Sequence, residues 1–277
     1  MEGHEIEGAP GIRRFAVRTP TLPPATHTNA YVVGDGRTGV AVVDPGSPYA
    51  DQQESLAAFL AALAAPVAAV VLTHHHVDHV GGVLDLARRF AAPILAHPLT
   101  ARLLAGRIAV DRTIEEGEVL PFAGGLEALH TPGHASGHLC FADARSGAVL
   151  AGDMVASIGT IIVDPAPGEG DMRLYLASLE RLRARRAPLL LPSHGDPITD
   201  PDALLGFYLR HRREREERVV LALRAGEAPV EELVPRAYPD VAPALYPLAA
   251  RSLTAHLYKL RDEARAAERG GRWRLTG

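Results

Sequence analysis

Short apolar runs dominate the first third of the chain and predict strands. Residues 28–34 and 40–44 are almost continuously apolar, and they predict a hairpin that turns at Asp35-Gly36-Arg37. Residues 67–72 are short and β-branched enough to form a buried strand. Between these runs, residues 49–64 carry an Ala/Leu/Phe face that predicts the first helix. Nearly continuous apolar strands are typical of the interior of a layered α/β fold.

The same alternation of strands and helices continues to about residue 200. Further strands are predicted at 12–19, 93–96, 117–120, 126–130, 138–142, 148–150 and 188–192, and helices at 80–90, 99–104 and 171–185. The chain then changes character. Residues 202–225 predict one long helix, and two helical patterns follow at 229–237 and 247–268. The end, 269–275, has the Gly-Gly turn and strand of a β ribbon. We therefore predict one domain over 1–200 and a second, winged-helix-like domain over 201–277.

Composition narrows the class of protein without naming a substrate. The chain has 277 residues, of which 47% are apolar and 22% charged, with a net charge of −4, so no nucleic-acid partner is indicated overall. Residues 201–277 differ, with 14 Lys and Arg against 11 Asp and Glu. The one cysteine, Cys140, excludes an intramolecular disulfide. The N-terminal sequence lacks signal-peptide features, and Pro66 interrupts the apolar run 56–72, so we expect a cytoplasmic protein with no membrane partner.

The chemistry of the chain is concentrated in Thr73-His74-His75-His76-Val77-Asp78-His79, directly after the strand predicted at 67–72. In an extended backbone the side chains of His74 and His76 point to the same side, while Asp78 and His79 lie at the turn into the next helix. Imidazole nitrogens with a carboxylate are donors that zinc prefers. A histidine tag would sit at a terminus, whereas this cluster follows a buried strand. A metal site is therefore predicted here.

The pattern His74-x-His76-x-Asp78-His79 resembles the metal-binding motif of the metallo-β-lactamase-fold superfamily. Three further residues match that family's pattern in the same order, each on its own loop: His134 in Thr131-Pro132-Gly133-His134, Asp153 in Leu150-Ala151-Gly152-Asp153, and His194 in Leu191-Pro192-Ser193-His194-Gly195. The resemblance implies an α/β fold, the four-layer αβ/βα sandwich, with the ligand loops along one edge. The tail is similar to the C-terminal winged-helix segment of the lactamase-β-like type 2 subgroup, which includes a single-strand endoribonuclease and many bacterial hydrolases.

Carried over residue by residue, the resemblance implies a dinuclear zinc centre, for which iron or manganese would also be suitable. His74, His76 and His134 would hold one ion, Asp78, His79 and His194 the other, and Asp153 would bridge them. A hydroxide shared by the two metals would attack the substrate, and Asp78 would orient it as the catalytic residue. His75 should point away from the metals. The acidic residue after the strand at 40–44, Asp44, either supports the metal loop or belongs only to a turn.

Substrate is the least determined property, because one metal-bridging hydroxide can cleave many bonds. The subgroup resemblance and the arginines of the tail favour an endoribonuclease acting on single-stranded RNA. The alternative is a thioesterase of the hydroxyacylglutathione hydrolase type, acting on a small acyl thioester. A non-enzymatic winged-helix nucleic-acid binder is disfavoured by the complete ligand set, and a secreted β-lactamase by the absence of an export signal. The tail itself would bind nucleic acid, line the substrate pocket or form a homodimer.

Overall fold

The computed structural model describes residues 3–34 and 39–276, which fall into two compact units. The first unit comprises Met1–Thr131, Gly137–Ile161 and Arg185–Pro201, and the second comprises Pro132–Ser136, Ile162–Ala184 and Asp202–Gly277. The turn predicted at Asp35-Gly36-Arg37 lies outside the described residues. The division of the chain into domains at residue 200 stays a prediction, since the second unit also takes segments from the earlier part of the chain.

A seven-stranded sheet forms one layer of the first unit. Its strands, in spatial order, are β1 (His4–Ile6), β2 (Ala9–Arg18), β3 (His27–Val33), β4 (Val40–Val43), β5 (Val67–Val71), β6 (Ile94–Ala96) and β7 (Arg112–Thr113). The first four strands pair antiparallel, with Tyr31 opposite Val43 as the predicted hairpin requires. From β4 to β7 all pairs are parallel, so the carboxyl ends of these strands meet at one edge.

A five-stranded sheet forms the facing layer. Its strands are β8 (Val119–Leu120), β9 (Leu126–His130), β10 (Leu139–Asp143), β11 (Val149–Gly152) and β12 (Leu190–Pro192). The spatial order is β12-β11-β10-β9-β8, and only β11 and β12 run parallel. Apolar side chains of both sheets, among them Val43, Val71, Phe141 and Leu150, are buried in one shared core. This explains the nearly continuous apolar sequences of the strands.

Helices cover the other face of the larger sheet. They are α1 (Ala50–Ala62), α2 (Val77–Val80), α3 (Val83–Phe90) and α4 (Pro98–Leu104). Leu56 and Leu60 of α1 join Val83 and Leu86 of α3 in a second core against the sheet. The predicted helix ending at Phe90 is therefore two helices, interrupted at Gly81-Gly82, where Gly82 N donates to Pro45 O at 2.8 Å. That contact fixes the metal loop to the end of β4.

The second unit is mainly helical. It contains α5 (Met172–Ala184), α6 (Pro201–Arg224), α7 (Val230–Ala237) and α8 (Tyr246–Asp262), with a small sheet of β13 (Ala228–Pro229), β14 (Ala266–Arg269) and β15 (Arg272–Leu275). Leu253 and Leu257 of α8 and Trp273 of β15 are buried in its core. The predicted helix over 247–268 was too long at its end. Ala264 adopts φ +56°, which ends the helical path, and Ala266 already pairs with Leu275.

Within the described ranges, 3–34 and 39–276, no helix has the length and apolar character needed to cross a membrane.

Candidate metal centre

Three loops at the carboxyl ends of strands meet in the first unit. The loop after β5 carries His74 to His79, the loop after β11 carries Asp153, and the loop after β12 carries His194. Main-chain hydrogen bonds hold them in place: Ser193 N donates to Gly152 O at 3.1 Å between the second and third loops, and Leu139 N of β10 donates to Thr73 O at 2.8 Å, which ties the first loop to the smaller sheet. The sheet architecture thus brings together side chains that are far apart in sequence.

Asp44, directly after β4, organises the first loop. The carboxylate is buried and accepts hydrogen bonds from Thr73 N at 2.8 Å and from Thr73 Oγ1 at 2.5 Å. Asp44 Oδ2 also lies 2.8 Å from His79 Nδ1. Because a carboxylate only accepts, Nδ1 of His79 carries the hydrogen and Nε2 carries the lone pair of the neutral ring. Of the two interpretations of Asp44, support of the metal loop is therefore correct.

His74 and His76 direct ring nitrogens at the same point. Thr73 Oγ1, which donates to Asp44, lies 2.9 Å from His74 Nδ1 and accepts its hydrogen, so His74 Nε2 is left with a lone pair. His74 Nε2 and His76 Nδ1 are only 3.0 Å apart. The expectation that these two side chains share one side of the loop is met, and their nitrogens are close enough together that they could hold one ion.

A second set of donors lies beside the first. Asp78, His79 and His194 offer three ligand atoms that all lie within 4.8 Å of one another. His79 Nε2 is 3.9 Å from Asp78 Oδ1 and 3.6 Å from Asp153 Oδ1. His194 Nε2 is 3.5 Å from Asp78 Oδ2 and 3.4 Å from Asp153 Oδ1. Four predicted ligands therefore converge here, with Asp153 touching both histidines.

The protonation of this cluster is strongly perturbed. Burial alone would lower the pKa of His79, but the carboxylates of Asp153, Asp78 and Asp44 outweigh it and raise that pKa well above its ordinary value. Burial also opposes the shift at His194, whose pKa is nevertheless raised by Asp153. For Asp153 burial acts to raise the pKa, yet His194 and His79 hold it well below its usual range. Without a bound cation, the carboxylates thus favour the protonated form of these two imidazoles.

His138 is a site residue that the sequence pattern did not identify. Its ring is fully buried, and Nε2 accepts a hydrogen bond from Asp153 N at 3.0 Å while Nδ1 lies 2.9 Å from Thr131 Oγ1. Gly152 adopts φ +52°, and a Cβ there would come within 2.4 Å of His138 Nε2. A glycine is therefore needed beside this histidine, and the pair fixes the backbone that presents Asp153.

Asn29 and Tyr31 of β3 fix the loop that carries His194. Asn29 Nδ2 donates to Pro192 O at 2.9 Å and to Gly195 O at 2.8 Å, and the Tyr31 hydroxyl donates to Pro192 O at 2.7 Å. His194 Nδ1 lies 3.0 Å from His27 O, which leaves Nε2 facing the carboxylates. Asn29 and Tyr31 are polar residues within a largely apolar strand. That break in the apolar pattern was the one sequence feature that could have indicated their role.

His134 belongs to the second unit. Its Nδ1 lies 2.8 Å from Ile162 O, so the hydrogen is on Nδ1 and the lone pair on Nε2, as in His74 and His79. Ser178 Oγ of α5 donates to Pro132 O at 2.8 Å and supports the same segment. The place of His134 in the ligand set stays a prediction.

The residues of the first unit fit a divalent cation. His79 Nε2 is buried and has no hydrogen-bond partner among the described residues, although it faces two carboxylates. Native proteins rarely leave such an atom unsatisfied. A positive ion would satisfy it and would also balance the negative charge of the two carboxylates. Imidazole and carboxylate donors suit zinc, iron and manganese.

Comparison with known families agrees with this geometry. The metallo-beta-lactamase superfamily matches residues 23–194, and the beta-lactamase associated winged helix domain matches residues 230–273. The chain therefore belongs to the metallo-β-lactamase superfamily. It has the predicted metallo-β-lactamase fold, with a C-terminal winged-helix domain. The endoribonuclease-like subgroup named from the tail is not confirmed by these matches.

One similar protein is the atrochrysone carboxyl ACP thioesterase of Claviceps purpurea (strain 20.1). It is 31% identical over 236 residues, which cover 83% of this chain and 72% of the relative. Other fungal relatives are described as lactamase-like proteins or as thioesterases of the same name. The chain spans only about 60 to 62% of the length of several of these relatives.

Solved structures include a metallo-beta-lactamase family protein from Thermus thermophilus. It is 25% identical, with a TM-score of 0.78 over 96% of this chain and 99% of that one. TTHA1623, solved in a di-iron-bound form, is 34% identical with a TM-score of 0.52, over 71% of this chain and 98% of its own. The fold is thus that of the metallo-β-lactamase family, and its His/Asp cluster is one that could hold a divalent metal.

Proposed function

We propose that this protein is a dinuclear metal-dependent thioesterase that hydrolyses acyl thioesters. The observation that carries the proposal is the convergence of Asp78, His79, Asp153 and His194 beside the His74–His76 pair. The two sets of donors adjoin, with the ring centroids of His74 and His79 4.0 Å apart, and two adjacent sets are what a pair of ions requires. The thioester comes from the relatives described as acyl carrier protein thioesterases.

We assign one ion to His74, His76 and His134 and the other to Asp78, His79 and His194, with Asp153 as the bridge. Zinc is the first choice of metal, and iron is supported by the di-iron form of TTHA1623. Two such ions, when bound, lower the pKa of a shared water towards about 7 and polarise the carbonyl of the substrate.

Asp78 is the residue we propose to take part directly in the reaction. Its side chain keeps 13% exposure, whereas His79 beside it has none, so Asp78 is the acid of this loop that substrate and solvent reach. One carboxylate oxygen faces His79 and the other faces His194. A carboxylate held in this way can accept a hydrogen from the attacking water and keep that water aligned with the carbonyl carbon.

A single-stranded RNA substrate remains a prediction without support from the relatives. A specific experiment separates the candidates: the purified, metal-loaded protein is assayed on S-benzoyl-pantetheine, on a single-stranded RNA oligonucleotide and on a chromogenic β-lactam. We expect saturable hydrolysis of the thioester alone. Asp143→Asn is the control variant and should keep the wild-type activity: Asp143 is another buried aspartate of the first unit, and among the described residues its side chain bonds to Ser146 in its own turn. Cleavage of RNA with no thioester hydrolysis would overturn the proposal.

A further inference from the structure

A polar cleft of about 190 Å³ lies wholly within the second unit. One wall is formed by Gly170 and Asp171 at the start of α5, and the opposite wall by Tyr258, Lys259 and their neighbours on α8. A cleft of this size has room for several waters or a short polar chain. None of its lining residues is one of the predicted metal ligands.

The cations of the cleft are already neutralised. Lys259 Nζ lies 2.8 Å from Glu216 Oε2 and 2.7 Å from Glu263 Oε1. Arg261 donates to Asp262 Oδ1 from Nε and from a terminal nitrogen, at 3.1 and 3.0 Å. With its positive charges balanced, the cleft offers little attraction to a phosphate or another anion.

The helix terminus in the wall is occupied as well. Asp171 Oδ1 accepts a hydrogen bond from Leu174 N at 2.8 Å and so caps the first turn of α5. The carboxylate places a negative charge where a bound anion would have to approach. An RNA strand is therefore a poor occupant of this cleft.

Hydrogen-bond acceptors remain available. Among the described residues, Asp171 Oδ2, Asp262 Oδ2 and the Tyr258 hydroxyl have no hydrogen-bond partner. Such a lining suits a neutral ligand that carries several N–H or O–H donors along a narrow chain. A chain with amide groups has this chemistry.

The wall of the cleft is also the segment that holds His134. Asp171 N donates to Gly133 O at 3.0 Å, and Gly170 N donates to Asp164 O. Ile162, on the same segment, provides the carbonyl for His134 Nδ1 at 2.8 Å. A chain bound in this cleft therefore lies beside the loop of a proposed metal ligand.

We propose that this cleft binds the amide-bearing pantetheine arm of an acyl thioester. The arm has two amide N–H groups and hydroxyl groups and no charge in its central part, which matches the acceptors described above. The inference rests on the proposed thioesterase function and names the part of the substrate that the second unit recognises.

The test compares two thioesters of the same acid, S-benzoyl-pantetheine and S-ethyl thiobenzoate, which has no amide. The double variant Tyr258→Phe/Asp262→Ala removes two of the acceptors. The control Tyr246→Phe/Glu231→Ala removes the same two groups from residues of the second unit that do not line the cleft. We expect the first variant to raise KM for the pantetheine ester about fivefold per lost hydrogen bond with kcat unchanged. KM for the amide-free ester should not change, and the control should match the wild type on both.

Equal KM values of the wild type and the Tyr258→Phe/Asp262→Ala variant for the pantetheine ester would overturn the inference. If that variant loses its folded circular dichroism spectrum, the single change Tyr258→Phe replaces it, since the ring is kept 5.8 Å from the Trp273 ring. If the wild type hydrolyses neither ester, the proposed function fails. The cleft is then tested by itself, by calorimetric measurement of S-methylpantetheine binding to the metal-free protein. Binding that the variant weakens supports the cleft, and no binding by the wild type refutes it.

Discussion

Asp44→Asn tests whether Asp44 sets the hydrogen position on His79. The change keeps the shape of the side chain, and Asn tolerates the φ of +52° found at this position. It replaces one accepting oxygen by an NH₂ group. If that group takes the place of Oδ2, it donates to His79 Nδ1 and moves the ring hydrogen to Nε2, the atom that should bind the metal. If it takes the place of Oδ1, two hydrogen-bond donors face each other, because the N–H of Thr73 donates to Oδ1 at 2.8 Å in the wild type.

Either arrangement loses a buried hydrogen bond of the carboxylate. Hydrogen bonds to charged groups contribute about 1.5–3 kcal/mol, so the free energy of unfolding of the metal-free protein should fall by about that amount. Partners that orient a metal ligand from behind typically change metal affinity about 10- to 100-fold. We therefore expect Asp44→Asn to weaken zinc binding by at least about tenfold.

The assay is competition for zinc between the protein and a chromogenic chelator, together with denaturant unfolding of the metal-free form. Asp143→Asn is the control, because Asp143 is equally buried but bonds to Ser146 rather than to the metal loop. It should lose stability and keep its zinc affinity. Zinc affinity of Asp44→Asn equal to that of the wild type would refute the reasoning about the His79 ring.

Three other predictions follow from the structure. Asp78→Ala should abolish turnover while the circular dichroism spectrum stays that of the wild type, because the side chain lies on a loop; retention of more than a tenth of the activity would contradict its role. Burial would raise the pKa of Glu216, but His256 and Lys259 outweigh it and lower that pKa to about 2. The charged carboxylate therefore stabilises the fold fully above its ordinary pKa of 4.5, and this stabilisation is lost as the pH falls from there towards 2. Glu216→Gln should accordingly reduce the drop in Tm between pH 5 and pH 3. If the tail binds RNA, each phosphate contact adds about −0.7 to the slope of log binding constant against log salt concentration, and Arg272→Ala/Arg274→Ala should make that slope less steep. A weak RNA interaction of the wild type that does not depend on salt would refute nucleic-acid binding by the tail.

Much of the fold could be predicted from sequence because the strands of the sandwich are distinctive. Residues 126–130 are a strand with the predicted bounds, and 67–72 differ from β5 by one residue. The short strands β1 and β7 were missed, since three and two residues carry no periodicity. The end of α8 was misplaced because Ala264 has no sequence feature that marks its φ of +56°.

The candidate ligands could be named from the sequence because the motif coincides with a strand end, whereas the residues that support them could not. His138 acts on Asp153 from 15 positions away, and its role depends on the pairing of β10 with β11. Asn29 acts on the loop of His194 from more than 160 positions away. Such contacts arise only once the strands are in register, so no local pattern reveals them. Asp44 was an intermediate case, since its position at a strand end suggested a role and the hydrogen bonds decided it.

The central claim is that two ions act together on a thioester, and a metal titration of activity tests it most directly. The protein is stripped of metal, zinc is added back in known equivalents, and the initial rate of S-benzoyl-pantetheine hydrolysis is measured at each step. We expect the rate to rise until two equivalents are bound and then to stay constant, with a similar course for iron. A rate that is already maximal with less than one equivalent, or that never rises above the metal-free background, would contradict the account.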